Sequence, residues 1–138
     1  MVDEAVMRRR LQALHGFLDG MRQRFSGMSL MAFVADENAR LIAERLLHLA
    51  CEACIDIANH VLASHGTEQA ETYRQTFELL GKHGFVPPDL AASLQKMAVM
   101  RNILVHGYLA VDPAKVHDVV VHRLGDLEQF AASMARLC

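Results

Sequence analysis

Arg101 and His106 stand five residues apart late in the chain, and their side chains suit chemistry at a phosphate. A guanidinium presents a planar fork of donors that matches phosphate oxygens, and an imidazole titrates near neutral pH. RNA can be cut when its own 2′-hydroxyl attacks the adjacent phosphorus. That reaction needs a base, an acid for the leaving oxygen, and a cation for the charge that develops. The pair therefore suits two of the chemical tasks of RNA cleavage.

Arg101 falls on the apolar stripe of a helix predicted to begin near Pro88. Residues within about 60° of it on that helix are Leu90, Leu94, Met97, Ala98, Leu104, Val105 and Tyr108. Burying an unpaired charge is costly, so we expect an internal carboxylate, a bound anion, or a cleft along the stripe. On a straight helix His106 lies about 140° from Arg101, whereas Tyr108 returns to the arginine's side. The two catalytic candidates would converge if the helix ended or bent at Gly107, in the left-handed conformation that glycine favours, or if a second copy of the chain supplied the missing group.

The pattern Arg101-x4-His106-x-Tyr108, together with Asn102, resembles the signature of the HEPN superfamily. It is most similar to the HepT-like toxins of paired minimal nucleotidyltransferase and HEPN proteins. The similarity extends over most of the chain, through a long helix from Glu44 to Leu62, the segment 73–80, and the helix that carries the motif. The resemblance implies an all-α, HEPN-like antiparallel bundle that forms a twofold homodimer.

The resemblance also implies a function, namely the toxin of a type VII-like toxin–antitoxin system. Such a toxin is a metal-independent endoribonuclease that acts on tRNA or other cellular RNA. Arg101 and His106 would be the catalytic pair, and Asn102 would be an auxiliary hydrogen-bonding group. A twofold dimer would offer two of each group, so a composite groove between two chains also follows from counting the groups needed. The alternative is a non-catalytic helical subunit of a nucleotidyltransferase complex, which keeps the motif for docking.

Tyr108 admits two interpretations. Its hydroxyl could cap a contact in the core. By resemblance it would instead be the acceptor of AMP from a cognate nucleotidyltransferase antitoxin. A nucleotide at this position would fill the groove and repel RNA phosphates, which would inactivate the nuclease.

Glu52 and Asp56 lie with Arg45 and Asn59 on the polar side of a helix predicted from Asp36 to about Ser64. This side could be a solvated face with modest internal pairing. Alternatively, Glu52 or Asp56 meets a cation on another element, with Arg101 as the candidate. Such a pair would orient the arginine and offset the cost of its burial. Both carboxylates are therefore auxiliary candidates.

The same helix carries His48, Cys51 and Cys54, a spacing that suggests zinc. Tetrahedral zinc sites usually include a second pair of ligands downstream, and the sequence has none. We therefore interpret these residues as helical packing residues and expect no metal and no cofactor.

Composition and charge indicate one globular domain over residues 1–138, with 52% hydrophobic residues and only three prolines. A net charge of −2 excludes a global basic field, so attraction of RNA must be local. Three cysteines, no signal-like amino terminus and no apolar run of about 18 to 20 residues favour a cytoplasmic protein without a membrane segment.

Periodicity and caps predict about five helices, over 3–25, 36–64, 70–82, from 88 onward, and from 113 onward with Asp112 as N-cap.

Overall fold

A computed structural model describes residues 2–138, and within that range the chain is all-α, as predicted. In chain order the helices are α1 (Glu4–Phe25), α2 (Leu30–Ala35), α3 (Glu37–Ser64), α4 (Tyr73–Lys82), α5 (Pro88–His106), α6 (Pro113–His122) and α7 (Leu124–Ala135). A single 3₁₀ turn, Tyr108–Ala110, joins α5 to the segment before α6. Over residues 2–138 the bundle therefore has seven helices rather than about five.

The two extra helices arise from one short element and one break. Ser29 caps the short α2, because its Oγ accepts a hydrogen bond from the backbone N–H of Ala32 at 3.1 Å. The predicted last helix is divided at Arg123, which takes φ −121° and ψ 13° between α6 and α7. Apolar residues continue at helical spacing on both sides of this break. Periodicity alone therefore could not reveal it.

The start predicted at Asp36 for α3 and the predicted N-cap Asp112 are correct, although Asp36 is itself a cap. Asp36 accepts a hydrogen bond from Ala39 N–H at 3.1 Å and begins α3. Asp112 accepts one from Ala114 N–H at 2.9 Å and begins α6. By contrast, α4 begins at Tyr73 rather than near residue 70, because Thr72 caps it by accepting from Gln75 N–H at 3.1 Å.

Helix α3 is the centre of the bundle and packs against each of the other six helices. By length and hydropathy alone it could cross a membrane, contrary to our expectation that no stretch of the sequence would pass that test. Half of its most apolar window is buried inside the bundle, which is the usual environment of a central helix. Its fully buried residues are Ala43, Leu47, Ala50, Cys51, Cys54, Ile57, Ala58 and Val61.

Helices α4 and α5 pack closely, and a glycine permits this approach. A Cβ atom at Gly81 would lie 2.7 Å from the Cβ of Ala91, so any larger residue would push the two helices apart. The packing of α4 on α5 brings the first residue of α4, Tyr73, beside the Arg101 side chain on α5.

Candidate active site

The Arg101 guanidinium is held from three sides. Its Nε donates to Glu52 Oε1 at 2.6 Å, and its Nη2 lies 2.5 Å from the same oxygen. Its Nη1 donates to Asn102 Oδ1 at 3.1 Å, and its Cζ lies 4.7 Å from the centroid of the Tyr73 ring. The side chain is only 12% exposed. The pairing predicted from the sequence between Glu52 and Arg101 is present.

Glu52 is itself held in place by its neighbours on α3. His48 Nε2 lies 3.3 Å from Glu52 Oε1, and Arg45 Nη1 lies 3.3 Å from His48 Nδ1. These residues follow one another at spacings of three and four along one side of the helix. The polar side of α3 is therefore a chain of contacts that leads from Arg45 at the surface to Arg101.

Asp56 lies one turn beyond Glu52, and no contact joins it to Arg101. Its backbone carbonyl accepts a hydrogen bond from Arg10 Nη1 on α1 at 3.3 Å. Burial raises the pKa of its carboxyl, the charge of Arg10 opposes that shift, and the charge of Glu52 adds to it. Of the two carboxylates singled out from the sequence, Glu52 contacts the arginine and Asp56 faces α1.

Arg101, Asn102 and His106 lie on the wall of one cleft of about 650 Å³. The other residues that line it are Asn59, Ala70, Glu71, Thr72, Tyr73 and Thr76. Asn102 and His106 are four residues apart and so lie on the same side of α5, with Asn102 beside Arg101. The His106 side chain is exposed to solvent, whereas the Arg101 side chain is mostly covered.

Gly107 ends α5 as predicted, but its conformation differs from the prediction. Its φ is −107°, outside the left-handed region, and its N–H donates to Ile103 O at 2.9 Å. A Cβ atom here would lie 3.3 Å from that carbonyl oxygen, so close approach of the backbone explains the glycine better than its φ angle. Arg101 and His106 both line the cleft, although Gly107 does not adopt the left-handed conformation.

Tyr108 does not line this cleft. The predicted return to the arginine's side is wrong, because the helix has ended and Tyr108 begins the 3₁₀ turn. The side chain is 77% exposed, which also excludes the core contact considered from the sequence. It borders a smaller cleft of about 190 Å³ that Arg40 and Glu44 of α3 also line.

The cysteines of α3 are core residues. Burial and, to a smaller extent, the charge of Glu52 raise the pKa of the Cys51 thiol to about 12, with the charge of Arg101 acting in the opposite direction. The pKa of Cys54 is also raised by burial. Over residues 2–138, no three His, Cys, Asp or Glu side chains are grouped so that they could hold a metal ion.

Tyr73 and Thr76 were not predicted from the sequence as residues of the cleft. Tyr73 shares helical spacing with the buried Phe77 and Leu80, yet its ring lies over Arg101. Its position at the first residue of α4, directly after the capping Thr72, is the signal that could have suggested a role at a helix end.

Residues 14–134 match the model of the family described as ribonuclease HepT-like. The chain belongs to the ribonuclease HepT-like family. The resemblance drawn from the motif is thereby confirmed, and the assignment of the chain as a ribonuclease is confirmed with it.

Two curated relatives of this HepT-like chain are named as nucleases. The tRNA nuclease HepT of Aphanizomenon flos-aquae (strain 2012/KM1/D3) is 32% identical over 115 residues, which cover 83% of this chain and 78% of the relative. The mRNA nuclease HepT of Shewanella oneidensis is 40% identical over 84 residues, 61% of this chain and 63% of the relative.

Solved structures agree with the fold. The tri-AMPylated Shewanella oneidensis HEPN toxin in complex with MNT antitoxin has a TM-score of 0.89 at 28% identity, over 97% of this chain and 99% of that one. A toxin–antitoxin crystal structure with AMP-PNP has a TM-score of 0.86 at 28% identity, over 96% and 99% of the two chains. The cytosolic protein YutE of Bacillus subtilis, at 19% identity and a TM-score of 0.85 over 99% and 90%, shares the fold.

Proposed function

We propose that this HepT-like chain is the toxin ribonuclease of a toxin–antitoxin pair and that it cuts RNA in the cleft between α3, α4 and α5. The observation that carries the proposal is the presence of Arg101 and His106 on the wall of one cleft. Asn102 lies between them as an auxiliary group. One hydrophobic core joins all the helices of residues 2–138, which supports a single domain over 1–138.

The arginine is preorganised to stabilise negative charge. Its contacts with Glu52 and Asn102 occupy three of the five N–H donors of a guanidinium, which leaves two for phosphate oxygens. Glu52 fixes the plane of the fork, so little reorganisation is needed when charge develops on the phosphate. Glu52 therefore acts as a positioning residue, and Asp56 contributes at most through its charge beside Arg10.

His106 supplies the proton transfers. Its exposed imidazole can take the proton of the attacking 2′-hydroxyl or protonate the leaving 5′-oxygen. A single chain brings one histidine to the cleft and the reaction has two proton-transfer steps. We therefore propose that a twofold homodimer completes the site with the second chain's histidine. The mass of the protein in solution, measured by sedimentation, should be twice that of one chain.

The test of the activity uses purified protein and cellular RNA. Wild type should release new RNA ends, and Arg101→Ala and His106→Ala should each lower the cleavage rate by about 10²-fold or more. Cleavage that persists in both variants would contradict the proposal. Chelator should leave the wild-type rate unchanged, because the proposed chemistry is metal-independent.

The same variants distinguish the alternative function. A non-catalytic subunit of a nucleotidyltransferase complex would leave RNA intact in every variant, and its expression would arrest growth equally in all three strains. Growth arrest by wild type alone favours the nuclease. We propose that the substrate is tRNA or another cellular RNA, in line with the names of the two curated relatives, and that the protein acts in the cytoplasm.

We further propose that Tyr108 accepts AMP from a nucleotidyltransferase antitoxin. Its hydroxyl is accessible to a second enzyme, because the side chain is 77% exposed. It lies two residues beyond His106, so an attached nucleotide would place negative charge beside the entrance of the cleft. The related complex of a tri-AMPylated toxin with its antitoxin supports this assignment.

Mass spectrometry after co-expression with the partner tests the acceptor. The wild-type peptide that contains Tyr108 should gain AMP, and Tyr108→Phe should remain unmodified while it still cleaves RNA. Tyr73 is the other tyrosine of the chain and serves as the internal control. An adduct on Tyr73, or on Tyr108→Phe, would refute the assignment.

A further inference from the structure

A carboxamide and a buried hydroxyl form a second polar pair in the same cleft. Thr76 of α4 is 1% exposed, and its Oγ1 donates to Oδ1 of Asn59 on α3 at 3.1 Å. The Thr72 carbonyl oxygen lies 3.2 Å from the same hydroxyl. The one proton of the hydroxyl is shared between these two oxygens. Neither Asn59 nor Thr76 has a part in the chemistry derived above.

This pair determines which end of the Asn59 side chain the cleft presents. The carbonyl oxygen faces Thr76, so the amide NH₂ carries the two remaining donors. Among residues 2–138 that nitrogen has no hydrogen-bond partner, and the side chain is exposed on the cleft wall. A bound RNA would thus meet the amide NH₂ of Asn59 as a free donor on the cleft wall.

We propose that Asn59, oriented by Thr76, reads the base of a nucleotide bound next to the scissile phosphate. This inference rests on the proposed function, because it assumes that RNA occupies the cleft. The cleft of about 650 Å³ is within the size range of sites for compounds larger than a single base, so it has room for a base beside the phosphate.

The donor pattern predicts which bases are preferred. An asparagine with both ends free usually recognises adenine, because its oxygen accepts from N6 while its nitrogen donates to N7. In this protein the oxygen is engaged with Thr76, which removes that mode. The single NH₂ that remains donates best to a carbonyl oxygen, which guanine (O6), cytosine (O2) and uracil (O2 and O4) carry and adenine lacks. The site should therefore favour guanine, cytosine or uracil over adenine at one position.

The experiment cleaves a pool of single-stranded RNA of random sequence and reads both new ends by sequencing. Wild type should show adenine depleted relative to the other three bases by about five-fold or more at one position near the cut. Asn59→Ala should flatten that position, which is scored as a base ratio within the products of each variant and so does not depend on the total cleavage rate. Asn38→Ala, an exposed asparagine at the start of the same helix, is the matched control and should leave the profile unchanged.

Thr76→Val tests the orienting step, because it replaces the hydroxyl by a methyl of similar shape. It should allow the amide to turn over, so that adenine becomes accepted, whereas Thr76→Ser should keep the wild-type profile. If Thr76→Val fails to fold, Asn59→Ala still decides the proposal.

The proposal and the underlying function fail in different ways. A wild-type enzyme that cuts without any base preference, or an Asn59→Ala profile equal to wild type, would overturn the base-reading role and leave the nuclease intact. Loss of all cleavage in Asn59→Ala would also overturn it, since the residue would then serve the chemistry. If wild type cuts no RNA at all, the nuclease proposal itself fails.

Discussion

Cys51 and Glu52 are adjacent residues on α3 with opposite environments. The Cys51 thiol is fully buried, and its pKa is raised to about 12. The Glu52 side chain is 31% exposed and pairs with Arg101 across the boundary between the core and the cleft. Cys51 thus faces the core, which excludes charge. Glu52 faces the cleft and keeps its negative charge beside Arg101.

The comparison shows why residue type alone is a poor guide to a site. A Cys-x2-Cys with a nearby histidine suggests chemistry, yet both thiols serve packing. The carboxylate beside them could have been an ordinary solvated residue. It instead fixes the arginine, because Glu52 faces the direction from which α5 approaches. The packing of α5 against α3 therefore decides which side of α3 has a chemical role.

The largest expected effect comes from exchanging the cation while keeping its charge. Arg101→Lys should lower the single-turnover cleavage rate by about 10²-fold, because an ammonium cannot bond Glu52 and a phosphate with the same planar geometry. Arg8→Lys, an exposed arginine on α1, is the control and should cleave at the wild-type rate. A rate for Arg101→Lys close to wild type would show that charge suffices and that the pairing with Glu52 has no role in catalysis.

A smaller effect is expected when Glu52 loses its charge. Glu52→Gln keeps the shape but weakens both contacts to Arg101, so cleavage should fall about 10-fold, and the free energy of unfolding should fall by about 1 kcal/mol after allowance for partial exposure. Rates and urea denaturation measure the two losses. Glu44→Gln, two turns earlier on α3, provides the control. If Glu52→Gln loses stability alone, the pair is structural and the positioning role is refuted.

The sequence was sufficient where helical spacing and the cost of burying a charge decide the outcome. The motif on α5 and the N-cap Asp112 follow from spacing, and the cost of burying Arg101 predicted a carboxylate partner, with Glu52 or Asp56 as the candidates. The position of Tyr108 and the break at Arg123 did not follow, because both depend on where a helix ends and the apolar pattern continues past those points. Tyr73 was missed because its contact with Arg101 depends on how α4 packs on α5.

Tyr73 offers a finer test of how Arg101 is oriented. Its ring lies 4.7 Å from the guanidinium carbon, an arrangement that contributes about 0.5 to 1 kcal/mol at partly exposed sites. Tyr73→Leu should therefore reduce cleavage by about two- to five-fold in rate assays, while Tyr73→Phe should retain the wild-type rate because it keeps the ring. Equal losses in both variants would assign the effect to the tyrosine hydroxyl and contradict the stacking interpretation.

The smallest effect concerns the buried side of α3 and appears only at alkaline pH. The folded pKa of Cys51 is about 12 against a reference value of 9.0, so its protonated thiol contributes stability that is complete below pH 9 and is lost as the pH rises toward 12. Between pH 8 and pH 10 the free energy of unfolding should fall by about 1 kcal/mol, because the unfolded chain gives up this proton and the folded chain keeps it.

Urea denaturation at the two pH values should therefore show a difference in the free energy of unfolding between wild type and Cys51→Ala that shrinks at pH 10. Cys138→Ala removes an exposed thiol and is the control. A constant difference for Cys51→Ala would mean that water reaches the thiol, and the two sides of α3 would then be less distinct than the structure shows.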